Sequence, residues 1–316
     1  MIETAWSSSC RAGAGLAAAL CASLWLATAA TAAAAPAGPM TWPDLLNRPA
    51  PEATARVAYG ADPLQFADLW LPAGPGPHPT VVMVHGGCWQ THVAGAAIMN
   101  YLAEDLRRRG VAVWNIEYRG VDRPGGGYPG TFEDVAKAAD AVRDVAKARR
   151  LDLRRVVVVG HSAGGHLALW LAARAGLPAT SPLRRRSPLA VTAAFSLGGL
   201  PDLAAARTPP GDTCGPDVVA RLVGPATADH PKVFADTSPA EMAAPAAQVV
   251  LVNATVDPIA PPAGAAAYAD RMAARGPRPE RHVVDGEGHV ELIAPGSRAW
   301  DLERRLIEAA LKPPKP

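Results

Sequence analysis

Short apolar runs alternate with longer amphipathic segments along most of the chain. The apolar runs are bounded by glycine, proline and polar residues, which is typical of buried strands; they lie at 80–84, 111–118, 156–159, 191–197, 248–253 and 281–284. Helical spacing of apolar residues occurs between them, at 96–109, 131–150, 167–176, 262–275 and 297–311. This alternation predicts an α/β fold with a mostly parallel central sheet and helices on both faces.

The segments outside this alternation predict the remaining organisation. Runs at 55–60 and 66–71 are separated by Ala-Asp-Pro-Leu, which predicts an N-terminal antiparallel hairpin. Residues 36–54 are rich in Pro and Ala and predict an N-terminal arm before a domain at 55–316. Residues 199–241 predict an irregular, lid-like excursion. We also expect Thr131 to cap the helix that ends near Arg150.

A strand, a small-residue turn and a helix follow one another around Ser162. The valines at 156–159 lead into Gly160-His161-Ser162-Ala163-Gly164, a G-x-S-x-G pentapeptide, and a helical pattern begins at Leu167. This context is typical of a nucleophile elbow, in which small neighbours let a strained serine expose its hydroxyl. The alternative is a turn that only joins strand to helix.

Asp257 and His289 complete the chemistry that a serine nucleophile needs. A serine hydroxyl is too weak an acid to attack unaided, so an imidazole must take its proton and a carboxylate must orient that imidazole. Asp257 follows the strand at 248–253 and His289 follows the last strand, and the carboxyl ends of such strands meet at one edge. Asp257 could instead cap the helix at 262; Asp202, Asp285 and Glu287 are weaker candidates for the acid.

The transition state of acyl transfer carries an oxyanion that backbone N–H groups must meet. We expect Gly87, Cys88 and Ala163 to supply these donors, because Gly86-Gly87 permits close approach after the strand at 80–84. Two aromatic side chains are predicted to line the substrate pocket: Trp89 and Tyr118. His85 is expected to brace the loop by hydrogen bonding rather than to act as a base.

Composition and charge narrow the function classes. The chain has 316 residues, 49% of them hydrophobic, so it can bury one sizeable core. Its 31 basic and 29 acidic residues give a net charge of +2, which does not indicate nucleic-acid binding. The basic run at 184–186 is interpreted as a solvated loop.

The N-terminal 35 residues predict an export signal. Arg11 precedes an apolar stretch at 16–30, and small residues at 31–35 offer cleavage sites. No other apolar run is long enough for a stable membrane span in the mature protein. Two cysteines then remain, Cys88 and Cys214, and they could either pair in an oxidising compartment or stay as two buried thiols.

These motifs together resemble the α/β-hydrolase superfamily, from about Ala55 to the C-terminus. The likeness rests on the motifs at 85–89, 117–119, 160–166, 257–258 and 288–289. Within the superfamily the chain is similar to the esterase/lipase branch, which includes kynurenine formamidase-like and hormone-sensitive-lipase-like enzymes. The resemblance implies a serine hydrolase with a Ser162, Asp257 and His289 triad and no metal or organic cofactor. Cys88 departs from the glycine or aromatic residue usual at that position.

Three functions are therefore compared. The leading hypothesis is an exported hydrolase of small or medium acyl esters that works through an acyl-enzyme. The second keeps the triad but cleaves an amide, as an amidase, arylformamidase or prolyl-oligopeptidase-like peptidase does. The third is a catalytically inactive hydrolase fold used for binding. The sequence leaves the natural substrate and the oligomeric state open.

Overall fold

The computed structural model describes residues 38–312, so the predicted leader at 1–35 lies outside the described residues. Eight strands of this part form one sheet: β1 (Ala55–Ala58), β2 (Phe66–Trp70), β3 (His78–Val84), β4 (Ala112–Ile116), β5 (Leu151–His161), β6 (Ala193–Leu197), β7 (Gln248–Ala254) and β8 (Glu280–Val284). Their spatial order is β1-β2-β4-β3-β5-β6-β7-β8. β2 pairs antiparallel with both β1 and β4, and every other pair is parallel. The predicted sheet and hairpin are confirmed.

Helices cover both faces of the sheet, as predicted. They are α1 (Trp42–Leu46), α2 (Asn100–Arg108), α3 (Gly130–Arg149), α4 (Ala163–Ala173), α5 (Val218–Val223), α6 (Pro262–Ala273) and α7 (Arg298–Leu311). α3 and α4 bury apolar residues in one cluster with the sheet, whereas α1, α2 and α7 contribute to a second cluster. α6 packs in a third cluster with residues of α4, β6 and β7.

The four valines of β5 explain why this strand is central. Val156 and Val158 belong to the cluster with α3 and α4, whereas Val157 and Val159 belong to the cluster with α2 and α7. All four are fully buried, and each such side chain stabilises the fold by roughly 1.5–3 kcal/mol. The end of β5, and the turn after it, are therefore held from both sides.

The predicted N-terminal arm contains a helix that sequence reasoning missed. The Thr41 N–H donates to the Asp44 carboxylate at 2.7 Å, which caps α1. Leu45 of α1 is fully buried, and the Arg48 guanidinium donates to the Pro295 carbonyl at 2.8 Å. The arm is thus packed onto the body of the molecule.

The expectation that Thr131 caps α3 is wrong. The helix already begins at Gly130, and the Thr131 hydroxyl instead donates to the Arg119 carbonyl at 2.6 Å and accepts from the Gly127 N–H at 2.9 Å. The Thr131 hydroxyl is therefore bonded to the loop that precedes α3 and does not cap the helix. The predicted helix at 96–109 is also modified, because a 3₁₀ turn at Ala96–Met99 precedes α2.

The segment at 199–241 is largely irregular, but it contains α5 and a 3₁₀ turn at Ala205–Arg207. The buried Asp236 carboxylate anchors it by accepting from the Ser181 hydroxyl at 2.6 Å and the Tyr128 hydroxyl at 3.0 Å. Across residues 38–312, no helix combines the length and apolarity needed to cross a bilayer.

Candidate active site

Ser162 occupies a strained turn between β5 and α4. Its backbone angles are φ 55° and ψ −121°, and its N–H donates to the Leu197 carbonyl at 2.8 Å. The turn requires glycine at positions 160 and 164, because a side chain at either position would clash with neighbouring backbone. A Cβ on Gly160 would lie 2.0 Å from the Gly164 oxygen, and one on Gly164 would lie 2.1 Å from the Val84 oxygen. Strand, turn and helix therefore pack too closely for any larger residue there.

Asp257 and His289 form a buried hydrogen-bonded pair. The His289 Nδ1 lies 2.7 Å from the Asp257 Oδ2, and the other carboxylate oxygen accepts from the N–H groups of Ile259 and Ala260 at 2.8 and 3.0 Å. Burial alone raises the pKa of Asp257, but the bond to His289 and the two N–H groups outweigh it and lower the pKa below its ordinary value. An ionised carboxylate requires Nδ1 to donate, so Nε2 of the neutral imidazole is left as an acceptor.

The pair lies beside the elbow. The His161 Nε2 lies 3.0 Å from the His289 carbonyl oxygen, and the two rings are 4.3 Å apart. Gly198, which directly follows β6, packs against this pair, because a Cβ there would lie 3.1 Å from both the Asp257 Oδ2 and the His289 Nδ1. Among the hydrogen bonds formed within residues 38–312, none joins the Ser162 hydroxyl to the His289 imidazole.

The three other acidic candidates have different partners. The Asp202 carboxylate accepts from the Ala204 N–H at 3.0 Å, and Asp285 accepts from the Thr255 hydroxyl at 3.0 Å. Glu287 accepts two N–H groups at the start of α7. Each of them holds a turn or a helix end, and Asp257 is the carboxylate that contacts His289.

The loop after β3 approaches the elbow closely. A Cβ on Gly86 would lie 3.0 Å from the Ser162 Cβ. Cys88 and Trp89 both have φ 53°, in the left-handed region, and the Gln90 N–H closes the turn on the Gly87 carbonyl at 2.8 Å. Within residues 38–312, no acceptor takes the N–H groups of Gly87, Cys88 or Ala163. The N–H groups of all three expected donors are thus uncommitted among the described residues.

A buried pair, His85 and Glu117, braces this loop. The His85 Nε2 lies 2.7 Å from the Glu117 carboxylate, and the Nδ1 lies 2.6 Å from the Gly86 carbonyl. The same carboxylate accepts from the N–H groups of Ala96 and Tyr118. Burial raises the pKa of Glu117, but His85 and the two N–H groups outweigh it and lower the pKa. Sequence reasoning gave Glu117 no role, although a carboxylate just after buried β4 was a signal.

Trp89 and Tyr118 lie beneath the loop instead of at an accessible pocket wall. Both side chains are buried, and the Trp89 Nε1 donates to the His166 Nδ1 at 3.1 Å. The Tyr118 hydroxyl donates to the His85 carbonyl at 3.0 Å, and its ring stacks on the His85 ring. Their polar tips find partners in the core, which is why these side chains point inward.

A disulfide joins Cys88 to Cys214, which decides between the two alternatives left open by the sequence. The Sγ atoms are 2.02 Å apart and the Cα atoms 5.4 Å apart. Close by, the Thr213 hydroxyl donates to the Ile259 carbonyl at 3.2 Å. The excursion at 199–241 is therefore fixed both to the loop after β3 and to the loop that carries Asp257. In the described part of the chain, no group of three His, Cys, Asp or Glu is arranged to hold a metal ion.

Comparisons with known proteins agree with this architecture. The family model of BD-FAE matches residues 67–272. Esterase LipC of Mycobacterium tuberculosis is 30% identical over 258 residues, which cover 77% of this chain. The alignment spans 61% of LipC, so the chain corresponds to about three fifths of that protein's length.

Solved structures share the fold. A truncated carbohydrate esterase from gut microbiota matches 82% of this chain and 97% of its own, with a TM-score of 0.66 and 19% identity. Thermogutta terrifontis esterase 2 phosphonylated by sarin matches 87% of this chain and 100% of its own, with a TM-score of 0.66 and 20% identity. The butyrate-bound form of that enzyme matches 83% and 96%, with a TM-score of 0.63 and 21% identity. At such identities the likeness establishes the common fold.

Proposed function

We propose, from the premise that the chain belongs to the BD-FAE family and has the α/β-hydrolase fold, that it is a serine hydrolase of carboxylic esters. The observation that carries the proposal is the Asp257–His289 pair, hydrogen-bonded at 2.7 Å beside the elbow serine. Among similar proteins, LipC is named an esterase, and esterase 2 is phosphonylated by sarin. Both agree with a serine nucleophile that attacks an acyl or phosphoryl centre.

In the proposed mechanism, the Ser162 hydroxyl attacks the ester carbonyl and gives its proton to the His289 Nε2. Asp257 keeps Nδ1 protonated and stabilises the imidazolium that forms. The imidazolium then protonates the leaving alcohol, and water releases the acyl group by the same steps. The missing Ser162–His289 hydrogen bond is compatible with this, because catalytic hydrogen bonds often tighten only when substrate binds.

Gly87, Cys88 and Ala163 are proposed to stabilise the oxyanion. Their N–H groups are free among the described residues, and each such donor contributes ~10²–10³ in rate. The disulfide at Cys88 holds this loop to the excursion, so the space beside the serine is fixed. We expect small or medium acyl chains, and the butyrate bound to the similar esterase 2 supports this expectation.

Two measurements test the activity. A fluorophosphonate probe should label the wild type and not Ser162→Ala, because the probe bonds to the nucleophilic oxygen. In a substrate panel, p-nitrophenyl acetate and butyrate should be cleaved faster than the octanoate ester, N-formylkynurenine or aminoacyl-naphthylamides. Faster cleavage of either amide would replace the ester proposal, and an unlabelled, inactive wild type would indicate a binding protein.

The acid is tested separately. Asp257→Asn should lower kcat by about 10⁴, because an amide no longer fixes the imidazole tautomer. Asp202→Asn is the matched control, since Asp202 holds a turn and an ion pair with Arg271, and its kcat should be nearly unchanged. The opposite result for the two variants would transfer the role to Asp202.

Export also belongs to this proposal. It is supported by the apolar N-terminal stretch and by the Cys88–Cys214 disulfide, because disulfides persist in oxidising compartments. Mass spectrometry of the protein recovered from a bacterial periplasm or culture medium should give an N-terminus close to residues 31–36. Recovery of the full-length chain in the cytosol alone would contradict export.

A further inference from the structure

The N-terminal arm contacts the loop that carries His289. The Met40 N–H donates to the Glu291 carboxylate, and the same carboxylate accepts from the Gly288 N–H at 3.1 Å. A Cβ on Gly288 would lie 3.3 Å from the Pro39 Cβ. The N-terminal arm and the loop that carries His289 thus both donate to the buried Glu291 carboxylate, and they also pack against each other at Pro39 and Gly288.

This attachment places Trp42 over two buried histidines. The indole ring lies 6.5 Å from the His289 ring and 6.2 Å from the His161 ring, edge to face in both cases. The Trp42 side chain is nevertheless 36% exposed, whereas the other tryptophans within residues 38–312 are at most 1% exposed. An indole beside the proposed general base therefore presents a broad apolar surface to solvent.

The chemistry of the proposed function determines which part of an ester would meet that surface. His289 delivers its proton to the oxygen of the leaving alcohol, so a group packed beside the imidazole lies on the alcohol side of the ester. The acyl group is attached to Ser162, next to the loop that contains Gly87 and Cys88. An indole face attracts other rings more than it attracts a short alkyl chain.

We propose that Trp42 determines specificity by forming the wall against which the alcohol portion of the ester packs, and that it favours alcohols that carry a ring. This rests on the proposed esterase function and deepens it. The sequence could not indicate it, because residues 36–54 carry no motif and the contact with His289 joins segments far apart in the chain.

A bracing role for Trp42 makes a different prediction. If the indole only held the His289 loop in place, its loss would slow every substrate by the same factor, because every ester needs the same proton transfer. A wall for the alcohol affects substrates according to the alcohol alone.

Three acetate esters separate these roles: phenyl acetate, cyclohexyl acetate and ethyl acetate. All three form the same acetyl-enzyme, so deacylation is common to them and kcat/KM compares acylation. Relative to the wild type, Trp42→Ala should lower kcat/KM about 3- to 10-fold for the two ring esters. It should change the value for ethyl acetate less than twofold, and Trp42→Phe should keep most of the ring preference. The matched control is Leu46→Ala, an exposed apolar residue on the same helix, which should behave as the wild type does.

The ethyl acetate rate also reports whether the variant is folded. A uniform loss on all three esters would show bracing and overturn the proposal, as would unchanged rates on all three. A larger loss for phenyl than for cyclohexyl acetate would show that the π face dominates, and equal losses would show that any broad ring suffices. If the wild type cleaves none of the three and the fluorophosphonate fails to label it, the esterase proposal itself falls, and this inference with it.

Discussion

At the scale of single residues, the lack of a side chain at Gly198 leaves room for the hydrogen bond between Asp257 and His289. It has φ 53°, and a Cβ would lie 2.7 Å from Leu292 Cδ1 and 3.1 Å from each atom of the Asp–His hydrogen bond. We expect Gly198→Ala to displace the imidazole or the carboxylate and to lower kcat at least tenfold, by analogy with the sensitivity of catalysis to small misplacements. Esterase kinetics on purified variants measures this.

Gly110→Ala is the control for the backbone alone. Gly110 also has a positive φ, 86°, but nothing lies within 4 Å of the added Cβ. Both variants should lose about 1 kcal/mol of stability from the left-handed conformation. A Gly110 variant that loses as much activity as the Gly198 variant would show that strain, and not contact with the pair, causes the loss.

His166 predicts part of the pH dependence of stability. Burial lowers the pKa of His166 to about 4, partly offset by the bond to the Thr237 carbonyl. The unfolded chain titrates near 6.5, so between pH 6.5 and pH 4 the unfolded state takes up a proton that the folded state does not. Stability present above pH 6.5 should therefore fall, by roughly 3 kcal/mol, as the pH decreases to 4.

The variant His166→Gln isolates this contribution, because an amide can still accept from Trp89 and donate to Thr237 without titrating. Urea unfolding at several pH values should give a shallower decline for the variant. His161, whose pKa burial also lowers, is common to both proteins. Parallel profiles for the variant and the wild type would contradict the assignment.

The residues proposed as a triad could be selected from sequence because each has a local signal. Ser162 has small neighbours on both sides, and Asp257 and His289 each follow a recognisable strand. The sequence predicted that Trp89 and Tyr118 line the substrate pocket, but a large aromatic residue next to a site motif can lie either in the pocket wall or in the core. Both side chains are held in the core by hydrogen bonds to residues far away in the sequence, Trp89 to His166 and Tyr118 to the His85 carbonyl.

At the scale of elements, β5 could be predicted and the loop at 85–90 could not. Four consecutive valines bury both faces of a strand whatever the surroundings. Nothing in the sequence signals the positive φ of Cys88 and Trp89, because residues of these types rarely adopt that conformation. Tertiary contacts hold the loop in it: the His85–Glu117 pair below and the disulfide beside it.

The disulfide gives a prediction for this loop. Replacing both cysteines, Cys88→Ser with Cys214→Ser, should lower the free energy of unfolding by about 2–4 kcal/mol, because the cross-link closes a long loop in the unfolded chain. It should also lower kcat/KM, since the N–H donor at residue 88 loses its tether. Chemical denaturation and kinetics measure the two effects.

Two comparisons show whether the cross-link itself is responsible. Reduced wild type should resemble the double variant, and Cys214→Ser alone should match it although residue 88 is then intact. A wild type whose stability and activity are insensitive to reductant, after complete reduction is verified by thiol counting, would contradict the prediction.

At the scale of the whole molecule, the proposed chemistry gathers at one edge of the sheet. The loops after β3, β5, β6, β7 and β8 supply the expected donors, Ser162, Gly198, Asp257 and His289. This convergence followed from the alternation of strands and helices, because parallel strands end at a common edge. The arm and the excursion reach that edge by contacts between distant segments, which no periodic pattern encodes.

The distribution of tryptophans makes the molecule its own optical reporter. Trp42 is accessible, whereas Trp70, Trp89, Trp114, Trp170 and Trp300 are enclosed. In a chain without the leader, iodide should quench only the emission of Trp42, so Trp42→Phe should abolish the quenchable fraction and Trp70→Phe should leave the quenched emission unchanged. A bulky phosphonate attached to Ser162 should shield the indole from iodide, so that occupancy can be followed by light alone.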